Sequence, residues 1–174
     1  MVFNDADLKC AVDGAAFAAF IASGQTCVSG TRIIIQDGIY DEFISAFTEK
    51  VQSITRRIGN RTYPVLILIE LCVYHTYKSL ASNPQSCMGT VISEKSLERI
   101  IQMVNGTSGN ILVGGTRMTG LSPLDQHDLS KGSFYSPTII TDIDVEDELW
   151  KEEIFGPVVV VKKFSVTFHY AFSR

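Results

Sequence analysis

Apolar positions near the start of the chain fall at helical spacing: Leu8, Ala11, Val12, Ala15, Ala16, Ala19 and Phe20 mark one face of a 3.6-residue repeat. Asn4, Asp5 and Asp7 precede this stripe, and such side chains cap a helix and complement its dipole. Its small residues predict close packing on another element, and Ser23-Gly24 ends it. The pattern then changes to an apolar run, "TRIIIQ" over Thr31–Gln36, which predicts a buried strand. Asp37-Gly38 reads as a turn. Helical spacing returns from Ile39 to Ile58, with Phe43, Ala46, Phe47, Val51 and Ile54 as the stripe and Gly59-Asn60 as the stop.

Residues 61–82, "RTYPVLILIELCVYHTYKSLAS", break this rhythm. They are apolar, aromatic and poorly patterned, and by themselves read as a buried strand. The run Val65–Leu71 is too short for a membrane span, which takes roughly 20 apolar residues. After Asn83-Pro84 the pattern resumes. Glu94–Val104 predicts a helix with Leu97, Ile100, Ile101 and Val104 on one face. Ile111–Val113 predicts a strand closed by Gly114-Gly115, and Thr119–Gly132 a polar loop. Phe134–Ile140 predicts a strand whose Pro137 argues for an edge or a bulge. Glu146–Lys151 predicts a helical turn and Val158–Lys163 a strand. Helices alternating with apolar strands predict an α/β fold, a mostly parallel open sheet with flanking helices.

Composition narrows the function classes. The chain has 174 residues, 45% hydrophobic and 20% charged, with a net charge of −4, which is globular composition. The densest basic group is Arg56, Arg57 and Arg61, too small a patch for a nucleic-acid footprint. Neither nucleic acid nor a membrane is expected as a partner. The cysteines, Cys10, Cys27, Cys72 and Cys87, form no CxxC pair, and His75, His127 and His169 lie far from other ligand types, so no metal site is expected. The start, "MVFNDADLK", has no basic or apolar leader region. The expected setting is cytoplasmic with reduced thiols, and the sequons Asn60-Arg-Thr62 and Asn105-Gly-Thr107 are then coincidental.

Cys27 stands apart from the other cysteines. It sits in "SGQTCVSG", a polar, glycine-flanked stretch after the first helix. A reactive thiol needs access and a field favouring its thiolate, whereas a structural one sits among hydrophobes. Cys10, Cys72 and Cys87 are expected to pack rather than react.

"GQTC" after an alanine-rich helix, followed by a strand and "IYDEF", resembles the catalytic region of aldehyde dehydrogenases. "FNDADLKCAV" before it, then "MGTVIS", "GG", "FYSPTIITDI" and "EEIFGPVVVV", follow in the family's order and approximate spacing. The resemblance covers residues 2–60 and 83–165. It implies a partial aldehyde dehydrogenase catalytic domain over residues 1–165, with 61–82 as an atypical insert and 166–174 as a divergent tail. Both departures read as translated intron or gene-model error in a piece of a longer dehydrogenase; the alternative for 61–82 is a real surface insertion loop, against which its apolar composition argues. The resemblance makes Cys27 the nucleophile, whose thiolate forms a thiohemiacetal with an aldehyde and then, after hydride loss to NAD or NADP, a thioester hydrolysed to the acid. It makes Glu153 the acceptor of hydrogen bonds from the nicotinamide ribose, and Phe155 the packing surface beside the nicotinamide.

The same resemblance places the family's Rossmann-like cofactor domain, its general-base glutamate and its oxyanion asparagine upstream of the segment matching Val2. Closing catalytic-domain elements lie downstream of Val158–Lys163. Loss of a general base lowers rates about 100- to 10,000-fold, and loss of an oxyanion donor about 100- to 1,000-fold. The chain by itself is therefore expected to be inactive as a dehydrogenase and marginally stable, with uncovered strand edges. Two alternatives stand beside this reading: a weak cysteine-dependent esterase or acyl-transferase, and a non-catalytic paralogue that joins full-length relatives in a homo- or hetero-oligomer.

Overall fold

The computed structural model describes residues 1–59 and 86–165. The atypical insert 61–82, Cys72 and the tail 166–174 lie outside the described residues. In chain order the elements are α1 (Leu8–Phe20), β1 (Arg32–Gln36), α2 (Asp37–Thr55), α3 (Glu94–Asn105), β2 (Asn110–Val113), β3 (Thr138–Thr141), α4 (Glu148–Lys151) and β4 (Val158–Phe164).

The four strands form one sheet in the order β1-β4-β3-β2. β4 pairs in parallel with both β1 and β3, and β2 closes the far side antiparallel to β3. The sheet is thus mostly parallel, as the alternation of helices and strands predicts. On the outer side of β1, Val2 forms a parallel bridge with Ile35.

Alternation along the strands divides the core in two. Ile33, Ile35, Ile139, Val159 and Val161 point to one face, where α1 and α2 cover them. Phe43 and Phe47 are fully buried there, their rings 5.4 Å apart, and Phe20 stacks on Phe47 at 6.4 Å. Ile140, Val158 and Val160 point to the other face, against Leu97, Ile100, Met103 and Val104 of α3. Strands buried on both faces read as continuous apolar runs, which is why "VVVV" at 158–161 shows no alternation.

Local chemistry explains the helix boundaries. The Asp7 side chain accepts from the Cys10 N–H at 2.7 Å and caps α1, and that N–H holds the Asp7 carboxyl below its ordinary pKa. Ser93 caps α3 by accepting from the Ser96 N–H at 3.2 Å.

Four expectations are corrected. Asp37-Gly38 is the first turn of α2, not a separate turn: Asp37 suits the positive helix start, and Gly38 is small because the Asn4 side chain lies against it. The strand predicted over Phe134–Ile140 is ordered as β3 only from Thr138. Pro137 precedes the first strand residue, where a missing N–H does no harm; β3 is an inner strand, not an edge, and the register irregularity in its pairing with β2 falls between Ile111 and Val113 rather than at Pro137. Met103 joins Leu97, Ile100 and Val104 on the buried face of α3, while Ile101 is half-buried. Cys10 is exposed, because α1 turns Val12, Ala16, Ala19 and Phe20 inward and leaves Cys10 on the outside.

Candidate active site

Cys27 lies in a turn between α1 and β1. Its thiol is exposed, in keeping with the polar, glycine-flanked sequence. Thr26 O accepts from the Ser29 N–H at 3.0 Å and closes the turn around Cys27 and Val28. Gly30 N–H then donates to Ala18 O at 2.9 Å, tying the turn's exit back to α1. The entry is left-handed at three successive residues, Ala22, Ser23 and Gly24, with φ of 52°, 57° and 69°.

Polar side chains tie this entry to the segment before α3. The Gln25 amide is buried, donating to Ala22 O and Thr90 O at 3.3 and 3.1 Å and accepting from the Ile92 N–H at 2.7 Å. Ser23 Oγ donates to Gly89 O at 3.1 Å. "GQTC" and "MGTVIS" are therefore in direct contact.

The third motif arrives from the start of β4. Gly24 lies so close to Gly156 that a Cβ on Gly24 would collide with the Gly156 carbonyl. Gly156 in turn leaves no room for a side chain against Ile100 of α3. Since β1 and β4 are parallel neighbours, the Cys27 turn and the 152–157 loop meet at the amino ends of adjacent strands. Open α/β folds that bind dinucleotides use the carboxyl ends instead.

Two arginines hold the 150–155 backbone. Arg32 Nε and a terminal nitrogen donate to Trp150 O and Glu152 O at 2.6 and 2.8 Å. Arg99 of α3 spans the Ile154 and Glu153 carbonyls, both at 2.7 Å. Between these anchors Phe155 takes a left-handed φ of 54° and leaves its ring 42% exposed. Non-glycine residues with such backbones gather where surrounding structure over-determines them, and active sites are among those places. Glu153 is exposed, and among the described residues its carboxylate has no hydrogen-bond or ion-pair partner.

The loops bearing Cys27, Glu153 and Phe155 thus come to one end of the sheet. Sequence reasoning missed Gln25, Arg32 and Arg99, which place them; their only signal was membership in or near the motifs. Three apolar side chains, Val28, Ile92 and Phe155, are exposed on these same segments. Cys10, by contrast, lines a separate cleft of about 390 Å³ beside α1, with Val2, Phe3, Ala15 and Gly30 among its walls. Cys87 is half-buried against the α1–α2 core, as expected of a packing residue.

A sequence model of the aldehyde dehydrogenase family matches residues 1–172. The mitochondrial succinate-semialdehyde dehydrogenase of Oryza sativa is 32% identical over 167 residues, covering 94% of this chain and 26% of that protein. The betaine aldehyde dehydrogenase of Mesorhizobium japonicum is 31% identical over 166 residues, covering 94% of this chain and 28% of that protein. Among solved structures, a betaine aldehyde dehydrogenase from Staphylococcus aureus, in complex with NAD+, superposes with a TM-score of 0.74 at 32% identity, covering 95% of this chain and 28% of that one. The chain spans about a quarter of the length of the relatives it matches.

Proposed function

Because the chain belongs to the aldehyde dehydrogenase family, we propose that Cys27 is the nucleophile of an NAD(P)-dependent aldehyde oxidation, and that Glu153 and Phe155 are its nicotinamide-side contacts. The observation that carries this reading is the meeting of three motifs at one end of the sheet: the exposed Cys27 turn, the 89–92 segment bound to Gln25, and the loop ending in Gly156.

The chain's residues suit that role. The Cys27 thiolate forms a bond to the aldehyde carbon as the carbonyl electron pair moves to oxygen, and sulfur later leaves well from the thioester. The N–H groups of Thr26, Cys27 and Val28 have no hydrogen-bond partner among the described residues, so they are available to the developing oxyanion. The cofactor, when bound, supplies the hydride acceptor. The unpaired Glu153 carboxylate is an acceptor fit for a ribose diol, and the exposed Phe155 ring is a flat apolar surface fit for a nicotinamide.

Residues 1–165 are read as part of a catalytic domain, with 61–82 as an insertion foreign to it. The isolated 174-residue chain is read as inactive toward aldehydes, since it spans only about a quarter of the length of its relatives. The purified chain, mixed with aldehydes and NAD+ or NADP+, is expected to give no absorbance rise at 340 nm. A rise abolished by Cys27→Ser would contradict inactivity. Transcript sequencing across the codons for residues 60–83 tests the insertion: a spliced message joining Asn60 to Asn83 supports it, and an unspliced one opposes it.

A further inference from the structure

The backbone leading into Cys27 is strained, and side chains hold it there. Ala22 and Ser23 are consecutive left-handed residues with side chains, a conformation that L-residues avoid for steric reasons. Such a run persists only where its surroundings over-determine it. Gln25 does most of this. It is 8% exposed, and both ends of its amide are engaged: Nε2 with Ala22 O and Thr90 O, Oε1 with the Ile92 N–H. Its own backbone N–H donates to Ala22 O at 3.1 Å. Just beyond it come the unpartnered N–H groups of Thr26, Cys27 and Val28.

We propose that Gln25 is the positioning residue of the Cys27 nucleophile: its buried amide fixes the turn so that those N–H groups face the oxygen of a carbonyl under attack by Cys27. The proposal rests on the reading of Cys27 given above. Only an amide of this length meets the pattern, because two carbonyls need a donor and one N–H needs an acceptor at the same side-chain end. Oxyanion donors act only when fixed where charge develops. Gln25 therefore matters for attack on a carbonyl and not for displacement at a saturated carbon, where no oxyanion forms.

That difference gives the test. With p-nitrophenyl acetate, Cys27 sulfur bonds to the acetyl carbon, the ester C–O bond breaks, and p-nitrophenolate leaves with the electron pair. With iodoacetamide the same sulfur displaces iodide. Peptide mapping by mass follows both reactions at Cys27 and at Cys10, an exposed thiol on α1 that serves as internal control. The full chain is compared with Gln25→Met, which keeps the shape and loses the hydrogen bonds, and with Gln25→Glu. In the unsubstituted chain, acylation is expected to be faster at Cys27 than at Cys10. Gln25→Met should lower Cys27 acylation about tenfold or more relative to its alkylation, with Cys10 unchanged. Gln25→Glu cannot donate to the two carbonyls while ionised. Its ratio should be low at neutral pH and recover only in part as acidification protonates the carboxyl, whose single O–H can serve one of the two carbonyls, and this variant carries the test if Gln25→Met does not fold. An unchanged ratio in both variants, or equal loss of acylation and alkylation, overturns the proposal. Acylation no faster at Cys27 than at Cys10 in the unsubstituted chain removes the nucleophile reading itself, a separate outcome.

Discussion

The sheet and the two loops at its amino end are held by different physics. β4 is gripped by burial on both faces, with Val158, Val159, Val160 and Val161 all at 0% exposure. The loops bearing Cys27, Glu153 and Phe155 leave those three side chains in solvent. Polar contacts with distant segments place them instead: the Gln25 amide and Ser23 hydroxyl tie the Cys27 loop to residues 89–92, and the Arg32 and Arg99 guanidiniums reach in to hold the other loop. Hydrogen bonds are directional and burial is not. A core therefore makes the molecule stable, while a few buried or bridging polar contacts decide where a reactive group stands.

The largest effect is expected in the core. Phe47→Ala, between Phe20 and Phe43, should destabilise the chain by about 3–5 kcal/mol, read as a lower urea midpoint. Below its transition the Cys27 acylation rate should stay as in the unsubstituted chain. A selective loss at Cys27 would break the division between core and loops.

Gly24→Ala is the complementary change. It adds left-handed strain of about 1–2 kcal/mol and drives a Cβ into the Gly156 carbonyl. Stability should fall by at least that strain, and Cys27 acylation should fall in the folded population. Arg99→Met is milder, because the side chain is exposed. A loss of about 1 kcal/mol is expected, with faster hydrogen exchange over 152–157 and none within β4.

Tyr135→Phe probes a buried hydroxyl that has no hydrogen-bond partner among the described residues. At neutral pH the change should be neutral or stabilising by up to about 1 kcal/mol, since an orphaned polar group leaves the core. Burial pushes the Tyr135 pKa up to about 12 from 10.0. A raised folded-state pKa means stability present below the unfolded value and lost as pH rises from about 10 toward 12. Tyr135→Phe should remove that alkaline loss, as followed by circular dichroism.

The smallest effect is at the surface. Hydrogen bonds from Lys50 and Lys9 bring the Asp13 pKa down to about 2 from 3.8. A lowered folded-state pKa means stability present above the unfolded value and lost as pH falls from 3.8 toward about 2. The pairs are exposed and screened, so Asp13→Asn should flatten the acid limb of the stability profile only slightly.

How much of this was legible in the sequence follows the same division. Periodicity marks α1, α2 and α3 because burial repeats with the geometry of the helix, whereas β4, buried on both faces, shows as an unbroken apolar run. Motif order singles out Cys27, Glu153 and Phe155. Gln25, Arg32 and Arg99 escape both methods, because their long-range contacts join positions 54 to 120 residues apart along the chain and a polar side chain carries no period. Asp37-Gly38 misleads for a related reason: a glycine admitted for close approach to Asn4 looks, in sequence, like one admitted for a turn. Pro137 misleads because a proline just before a strand and one inside an edge strand are alike until the pairing is known.

The central claim is that the Cys27 turn and the Glu153–Phe155 loop form one site. The most direct measurement places a nitroxide on Cys27, with Cys10, Cys72 and Cys87 replaced by Ser, and follows paramagnetic broadening of backbone amide signals by NMR. Along β4, Gly156 and Lys163 are separated by roughly 23 Å, about 3.3 Å per residue. The account predicts strong broadening at Phe155 and Gly156 that fades toward Lys163. Sharp Phe155 and Gly156 signals, or broadening as strong at Lys163, would contradict it.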